Sequence, residues 1–374
     1  MAENKNADAG KQQEGLLERF GLGLAAWSEK WFPDAWVFAL VGIVIVYVFG
    51  LLIGESPVKL ATEGGKQFWI LIPFTMQMAF IIIGGYVLAS TPAVYWVIQK
   101  VAGIPKTGRG AIAFVAFLSL VTSLISWGLS LIFSGLLVRE LTRRVKGMDY
   151  RAAGAAAYLG LGAIWALGLS SSAPLMMATK GSIPPKLYEI SGLLPLTQTL
   201  FHWENLWMIV ALIAVSVPIA YFSAPKPERA KTVESFNLKF DEIDTSIEAR
   251  QKPGEWLEYS PLLIILVGGL ICWYLIDLFS KDPRGPLAVL DLNNYNLIFI
   301  TLGMILHWRP KRFLKAVAQS VPATGGVLIQ FPFYAVIFGM IVGTGINKWL
   351  ADLFYSITTQ GTYPLLVAAY SAIL

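Results

Sequence analysis

Residues 122–130 read Thr-Ser-Leu-Ile-Ser-Trp-Gly-Leu-Ser and lie in the middle of Gly110–Val138, a stretch of 29 residues without Asp, Glu, Lys or Arg. A membrane-spanning helix needs about 20 residues, so this stretch is long for one crossing. The flanking basic residues are Lys100, Lys106 and Arg109 before it, and Arg139, Arg143, Arg144, Lys146 and Arg151 after it. A single crossing would place these two basic segments on opposite sides, against the positive-inside rule. We therefore predict a re-entrant hairpin with its tip near Ser126-Trp127-Gly128.

The whole chain has the composition of a membrane protein. It has 374 residues, of which 56% are hydrophobic and only 14% are charged, and its mean hydropathy is +0.61. A soluble domain carries about 25% charged residues. The charged residues are also clustered, and they leave nine long stretches without any. A soluble fold would have to bury all nine, so the sequence predicts an all-α polytopic membrane protein surrounded by the lipid bilayer.

A repeated pattern relates the two halves of the chain. Phe38, Gly42, Pro73-Phe74 and Gly84 recur as Phe299, Gly303, Pro332-Phe333 and Gly343, at offsets of 261 residues for the first two and 259 for the others. An odd number of predicted crossings separates the two copies, so they run in opposite directions. The predicted fold is therefore an inverted-repeat transporter with a re-entrant hairpin and broken helices, a pattern typical of secondary transporters.

The repeats and the charge pattern divide the chain into four predicted segments. Residues 1–32 form a cytoplasmic N-terminal segment, 33–222 the first membrane repeat, 223–258 a polar cytoplasmic linker, and 259–374 a second, incomplete membrane repeat. The predicted crossings are Ala35–Ile53, Trp69–Leu88, Ala152–Thr179, Trp203–Phe222, Tyr259–Ile276, Leu292–Trp308 and Val327–Ile346. With the N-terminus in the cytoplasm, the first of these runs outward, whereas Trp69–Leu88 and Leu292–Trp308 both run inward.

Few side chains within the predicted membrane segments could carry catalysis or bind a metal. No Asp or Glu falls inside an uncharged stretch, and His202 and His307 lie at span ends, where we interpret them as interfacial. Zinc-protease and nucleophile-elbow motifs are absent, and Cys272 has no second cysteine for a disulfide. The basic residues lie in short loops, where they set topology rather than bind nucleic acid. We predict no catalytic residue, no metal site and no nucleic-acid partner.

Two polar interruptions, each with serine and a helix breaker, contain the candidate substrate-binding residues. The first comprises Ser123, Ser126, Trp127, Gly128 and Ser130, and the second comprises Ser170, Ser171, Ser172 and Pro174. We expect the second helix to break or kink at Pro174, which has no N–H. A broken helix exposes backbone N–H groups that attract an anion, and serine hydroxyls can donate to a carboxylate. The alternative is that these small residues only let membrane helices pack closely.

Gln77 and Gln330 are further polar residues within predicted spans, and we expect them to form interhelical hydrogen bonds.

Several ordered motifs carry a family resemblance. They are Trp31-Phe32-Pro33-Asp34, Met76-Gln77-Met78-Ala79, Ser126-Trp127-Gly128-Leu129, Arg139-Glu140-Leu141, residues 143–150 (Arg-Arg-Val-Lys-Gly-Met-Asp-Tyr), residues 168–175 (Gly-Leu-Ser-Ser-Ser-Ala-Pro-Leu) and residues 328–334 (Leu-Ile-Gln-Phe-Pro-Phe-Tyr). From about Leu16 to Leu374 the chain resembles the short-chain fatty acid transporter family, the bacterial acetoacetate/butyrate permease type. It departs from the family where Ser126 replaces Asn and where Ser171-Ser172 replaces Gly-Ser. Family sequences also continue past the position of Leu374 with a Pro-Ser-Gly-Gly-Gly stretch.

The resemblance implies a secondary active transporter that moves short-chain monocarboxylates, such as acetoacetate and butyrate, across the bacterial inner membrane. Na⁺ or H⁺ would be the coupling ion, and no other cofactor is expected. A transporter of this kind could also form a homo-oligomer. One alternative is a uniporter or channel for small organic anions, which counterflow without an ion gradient would distinguish. Another is an integral membrane enzyme, which would need a nucleophile–base pair or a metal cluster facing a cavity. Because the second repeat stops before its own tip and broken helix, we expect the 374-residue chain alone not to transport.

Overall fold

The computed structural model describes residues 15–238, 240, 247, 249–283 and 285–373. Within these ranges the regular secondary structure is helical, without a strand, as the sequence predicts. Residues 1–14 of the predicted N-terminal segment, part of the predicted linker, and Leu374 lie outside the described residues.

The helices up to the linker follow the predicted order. They are α1 (Leu16–Trp31), α2 (Ala35–Leu52), α3 (Pro57–Lys66), α4 (Ile72–Ala89), α5 (Pro92–Val101), α6 (Gly108–Ile125), α7 (Trp127–Arg144) and α8 (Tyr150–Leu159). Helix α8 continues through a π-helical turn, Gly160–Ile164, and a 3₁₀ turn, Trp165–Leu167. After a break the chain forms α9 (Ser172–Ala178), α10 (Pro185–Ser191) and α11 (Trp203–Ser223).

The helices after the linker repeat the alternation of long and short elements. They are α12 (Trp256–Tyr259), α13 (Leu262–Lys281), α14 (Pro286–Val289), α15 (Leu292–His307), α16 (Pro310–Ser320), α17 (Gly325–Gly343), α18 (Ile346–Ile357) and α19 (Tyr363–Ile373). Helices α2–α6 have 18, 10, 18, 10 and 18 residues. Helices α15–α19 have 16, 11, 19, 12 and 11 residues. The first four helices of the two copies therefore share one order of long and short elements, whereas the fifth has 18 residues in α6 and 11 in α19.

Seven segments among the described residues are long and apolar enough to cross a membrane. They are Ala35–Leu52, Ile72–Ala89, Gly108–Ile125, Tyr150–Ala178, Trp203–Ser223, Pro253–Lys281 and Pro310–Gly343. The predicted crossing Leu292–Trp308 forms the 16-residue helix α15, about 24 Å long at 1.5 Å per residue. These features are those of a polytopic membrane protein.

Local sequence signals explain where several helices begin. The side chains of Asp34, Thr91, Thr107 and Asp149 accept the N–H groups of Trp36, Val94, Gly110 and Ala152, and so cap α2, α5, α6 and α8. Each bond satisfies one of the unpaired donors at a helix start. Helices α3, α5 and α16 begin with proline, which loses no helical hydrogen bond at that position. These starts are therefore fixed by residues next to them in the sequence.

The described chain forms two compact units. The first contains Met76–Gly325 together with the N-terminal residues as far as Phe32, and the second contains Pro33–Thr75 and the residues from Gly326 onward. The core of the first unit consists mainly of side chains from α5, α6, α7 and α8. In the second unit Leu60, Met340 and Ile346 form a smaller core, against which residues of α2, α17 and α18 pack.

Helices α6 and α7 form the predicted hairpin in the first unit. The start of α6 meets the segment that follows α7, because a Cβ atom on Gly108 would lie only 2.5 Å from the carbonyl oxygen of Gly147. Along the arms, Ala111 and Val115 of α6 share a buried core with Leu137 and Leu141 of α7. The chain thus returns to the side from which it came, with the turn at Ser126, and the hairpin prediction is confirmed.

Helices α4 and α15 of the first unit lie side by side and run in the same direction. Gln77 contacts Asn293 near the start of both helices. Further along, Gly84 approaches Phe299, and a Cβ atom on Gly303 would lie 2.7 Å from a methyl carbon of Val87. The second crossing of the first repeat and the first crossing of the second repeat are therefore parallel, which is the relation that inverted repeats require.

The structure corrects two details of the sequence interpretation. The broken helix ends before Gly168 and resumes at Ser172, so Pro174 lies in the first turn of α9 rather than at the break. Proline is tolerated there because a first-turn N–H has no helical partner. His307 is only 3% exposed, and its Nε2 lies 2.9 Å from the carbonyl oxygen of Val87, so it is a buried rather than an interfacial histidine.

Candidate functional site

Ser126 ends one helix and begins the next. Its backbone is extended, with φ −156° and ψ 125°, so α6 stops at Ile125 and α7 starts at Trp127. Its hydroxyl accepts the N–H of Leu129 at 3.3 Å, as an N-cap serine does. The side chain of Ser126 is fully buried. The tip of the hairpin is therefore the N-terminus of an 18-residue helix, enclosed within the protein.

The tip lies directly against the backbone of α4. A Cβ atom on Gly128 would be 2.7 Å from the carbonyl oxygen of Ile81, and one on Gly85 would be 2.4 Å from the nitrogen of Leu129. Only glycine permits such a close approach at either position. The predicted site residue Gly128 thus has a clear packing role, which is to let the tip reach α4.

The second interruption meets the first at this tip. The N–H of Leu169 donates to the carbonyl of Leu124 at 2.8 Å, and a Cβ atom on Gly168 would be 2.6 Å from the Cα of Leu124. The hydroxyl of Ser170 accepts the N–H of Trp127 at 2.8 Å. The end of α6, the start of α7 and the break before α9 are therefore joined at one place.

Tyr295 of α15 completes this junction, and the sequence interpretation missed it. Its hydroxyl donates to the carbonyl of Ile125 at 2.8 Å, and it also lies next to the hydroxyls of Ser126 and Ser170. The ring is 2% exposed and stacks on Phe299 at 4.5 Å between centroids. The available signal was the segment Leu-Asn-Asn-Tyr-Asn at 292–296, which is unusually polar for the start of a predicted crossing.

Ser123 and Ser130 lie along the arms of the hairpin rather than at its tip. Ser123 Oγ donates to the carbonyl of Gly160 at 2.8 Å, and Ser130 Oγ donates to the carbonyl of Ser119 at 2.7 Å. Ser119 itself donates to Ala157 at 2.7 Å and accepts the N–H of Gly160 at 2.9 Å. These hydroxyls join α6 to α7 and to the π-helical turn, as expected for serines that mediate close helix packing.

The remaining predicted site residues surround the junction. Ser171 is 2% exposed, whereas Ser172, Pro174 and Trp127 are half-buried. Ser171 follows Ser170 directly, and Ser172 is the first residue of α9. The structure thus brings Ser126, Trp127 and Tyr295 together around Ser170, with Ser171 and Ser172 adjoining them.

The polar groups at the junction carry no formal charge. They are serine and tyrosine hydroxyls, together with backbone N–H groups at the start of α7. Among the hydrogen bonds of the described residues, none involves the N–H of Gly128. Donors of this kind can bind a carboxylate. The residues that the structure describes contain no group of three His, Cys, Asp or Glu side chains placed to hold a metal ion.

The two intramembrane glutamines differ in their hydrogen bonds. Gln77 Nε2 donates to Asn293 at 2.6 Å, and Gln77 Oε1 accepts from Ser182 at 2.7 Å, so its predicted interhelical role is confirmed. Gln330 contacts Tyr334 at 3.5 Å, one turn further along the same helix. Its interhelical prediction is therefore not met among the described residues.

Comparison with known proteins gives the family. A family model described as "Short chain fatty acid transporter" matches residues 16–374. The chain belongs to the short-chain fatty acid transporter family. Two relatives provisionally named as short-chain fatty acid transporters, from Escherichia coli (strain K12) and Haemophilus influenzae (strain ATCC 51907 / DSM 11121 / KW20 / Rd), are 32% and 30% identical over 363 residues. Each match covers 96% of this chain and 80% of the relative. No solved structure matches the chain.

Membership of the short-chain fatty acid transporter family agrees with the seven apolar segments and the all-helical fold. The class of protein inferred from the sequence motifs, a membrane transporter, is thereby confirmed.

Proposed function

We propose that the protein is a secondary active transporter of short-chain monocarboxylates, with acetoacetate and butyrate as typical substrates. In this proposal it moves them across the bacterial inner membrane, coupled to Na⁺ or H⁺, with its N-terminus in the cytoplasm. It is a carrier rather than an enzyme, and its partners are the carboxylate substrate and the bilayer. Family membership supports the transport of short-chain fatty acids.

The observation that carries the proposal is the meeting of two chain interruptions at Ser126 and Ser170. An inverted-repeat transporter binds its substrate at discontinuous helices, where half-helix N-termini point at anionic groups. The start of α7 supplies such an N-terminus, and the adjoining hydroxyls of Ser171 and Ser172 supply further donors. Irregular backbone within a membrane protein is tolerated where it is buried in protein or lines a cavity, and this junction meets that condition.

The absence of a basic side chain at the junction suits a carrier. A carboxylate held by neutral donors is bound less tightly than one held by an arginine or lysine, because it lacks the direct attraction of a positive charge. A carrier must release its substrate on the far side of the membrane in every cycle. Neutral donors therefore favour turnover over retention.

The test is uptake of radiolabelled butyrate by cells that express the protein from its own gene. Leucine at Ser171 or Ser172 should abolish uptake while the protein still inserts, because Leu fills the space and removes a donor. Alanine should weaken apparent affinity by roughly ten- to a hundredfold, since a hydrogen bond to a charged group contributes about 1.5–3 kcal/mol. Ser216→Leu, in α11, is the matched control and should transport normally. Unchanged uptake kinetics in both alanine variants would mean that these serines serve only helix packing.

The same assay separates carrier from channel. Collapse of the ion gradients with an ionophore should stop accumulation by a coupled carrier, while exchange of internal for external butyrate continues. Accumulation that never exceeds the external concentration would favour the uniporter or channel.

A further inference from the structure

A cleft of about 340 Å³ lies between α4 and α15, separate from the serine junction. Its polar lining consists of three amide side chains, Gln77, Asn293 and Asn296, and Met76 and Phe80 are among its apolar lining residues. The hydroxyl of Ser182 reaches the same cluster through Gln77. Four neutral polar side chains from three parts of the first unit therefore converge at the start of two parallel helices.

Hydrogen bonds within this cluster use two of its three amide oxygens and leave the third without a partner. Gln77 Nε2 donates to Asn293 Oδ1 at 2.6 Å, and Ser182 donates to Gln77 Oε1. Asn296 Nδ2 donates to the main-chain carbonyl of Gln77 at 2.9 Å, which fixes the orientation of that amide. Each amide oxygen can accept two hydrogen bonds, so Gln77 Oε1 and Asn293 Oδ1 each keep one lone pair for a further ligand.

Asn296 carries the unpaired oxygen of the cluster. The residue is 7% exposed, and its Oδ1 atom is buried without a hydrogen-bond partner among the described residues. An unpaired buried carbonyl is costly and calls for an explanation, such as an ion. Since the atom is an acceptor, the missing partner is a cation or a hydrogen-bond donor and not a carboxylate.

The type of ligand indicates the type of cation. Hard cations take oxygen ligands, and Ca²⁺ sites are built largely from carboxylates. Here the lining oxygens are neutral, which suits an ion with a single charge. Asp291, whose carboxylate accepts the N–H of Asn294, adds a negative charge at the start of α15 and offsets the positive end of that helix.

We propose that Gln77, Asn293, Asn296 and Ser182 bind one Na⁺ ion, and that this is the coupling ion. The second part rests on the proposed transport function; the first does not.

The position of the cluster explains how the ion would act on the substrate site. Asn296 follows Tyr295, whose hydroxyl holds the carbonyl of Ile125 at the junction. Gln77 lies one turn before Ile81, whose carbonyl oxygen touches the tip at Gly128. An ion that joins Gln77 to Asn296 fixes α4 relative to α15, and these two helices hold the tip from either side.

The test is ion-specific stabilisation of the purified protein. Thermal unfolding is measured in choline chloride, KCl and NaCl at constant ionic strength. Na⁺ at about ten times its dissociation constant should raise the unfolding midpoint by about 2 °C relative to choline. Asn296→Ala should abolish this shift. Ser134→Ala is the matched control, because Ser134 is also buried with an unpaired oxygen but lies in α7; its Na⁺ shift should equal that of the wild type.

A second variant covers the case in which Asn296→Ala does not fold. Asn296→Asp places a carboxylate against the Gln77 carbonyl, so it should unfold earlier than the wild type in choline and gain a larger shift from Na⁺. No Na⁺-specific shift of the unfolding midpoint in the wild type, or an equal shift in Asn296→Ala, would overturn the site.

The coupling role and the transport function are tested separately from the site. Butyrate uptake that is equal with and without Na⁺ would overturn the coupling role but not the transport function. If Na⁺ raises the unfolding midpoint in a manner that depends on Asn296, but the protein neither binds nor transports butyrate, the Na⁺ site is supported and the proposed function is overturned.

Discussion

The first unit contains two polar contacts between helices that differ in how fully they are closed. We call the contact between α6, α7 and the π-helical turn the seam. Its polar groups are the fully buried hydroxyls of Ser119, Ser123 and Ser130, each of which donates to a backbone carbonyl within 2.8 Å. Between α4 and α15 lies the amide cleft, where Gln77 and Asn296 leave about 340 Å³ of space and an unpaired oxygen.

The difference follows from side-chain length. A serine hydroxyl reaches a carbonyl only when two backbones nearly touch, and Gly160 provides that closeness in the seam. An amide reaches further and carries two polar groups, so it can join helices that remain apart. Serine hydroxyls beside a glycine therefore join helices in close contact, whereas amide side chains join helices that leave space between them. Three experiments test this distinction.

The largest effect is expected from Gly160→Ala. The added methyl would lie 2.3 Å from the carbonyl oxygen of Ser119 and 2.6 Å from Ser130 Oγ, so the seam must separate. We expect a loss of roughly 3 kcal/mol of unfolding free energy, in the upper range for overpacking. Gly162→Ala, in the same turn, meets nothing within 4 Å and serves as the control in thermal unfolding. Equal midpoints for the two variants would mean that the seam is not closed.

A smaller effect should follow from removing one hydroxyl on each side of the comparison. Ser119→Ala deprives the buried N–H of Gly160 of its acceptor, which should cost about 2 kcal/mol. Ser182→Ala frees Gln77 Oε1, which water in the open cleft can satisfy, so less than about 0.5 kcal/mol should be lost. Denaturant unfolding of both variants measures the contrast. A larger loss for Ser182 than for Ser119 would reverse the assignment of sealed and open contacts.

An effect between those of Ser119→Ala and Ser182→Ala is expected where the two regions meet, at Tyr295. Tyr295→Phe keeps the ring on Phe299 but removes the hydrogen bond to Ile125, which contributes about 1 kcal/mol. Stability should fall by that amount, and the apparent KM for butyrate should rise about fivefold if the hydroxyl also positions the tip. Tyr334→Phe, whose hydroxyl makes only a 3.5 Å contact within its own helix, is the control. A KM equal to that of the control would limit Tyr295 to a structural role.

The hairpin and the repeat could be predicted because their signals are local or periodic. Arg139 and its basic neighbours indicate one side of the membrane for both hairpin ends, and Pro73 and Pro332 mark equivalent positions in the two copies. The exact break could not be predicted. Proline suggested Pro174, but the chain leaves the helix at Gly168 because that residue touches Leu124, about 40 positions earlier.

Part of the candidate site was visible in the sequence and part was not. Ser126 and Ser170 were identified because a hydroxyl beside a helix breaker is unusual in a membrane segment. Tyr295 was missed because a tyrosine in an apolar helix is common. Its importance comes from a hydrogen bond to the carbonyl of Ile125, which is distant in the sequence and contacts Tyr295 only after folding. The sequence likewise does not reveal that Asn296 lacks a partner for its oxygen, since this depends on what surrounds it after folding.

The closed seam limits where anything can pass. From the meeting of Gly108 with Gly147 to the bond between Ser119 and Ser130, the two arms of the hairpin are held together by close contacts and a shared buried core. A leak of protons or ions between α6 and α7 would need the arms to separate along more than half their length. We therefore expect any movement that opens the hairpin to begin at its tip, around Ser126, rather than along its arms.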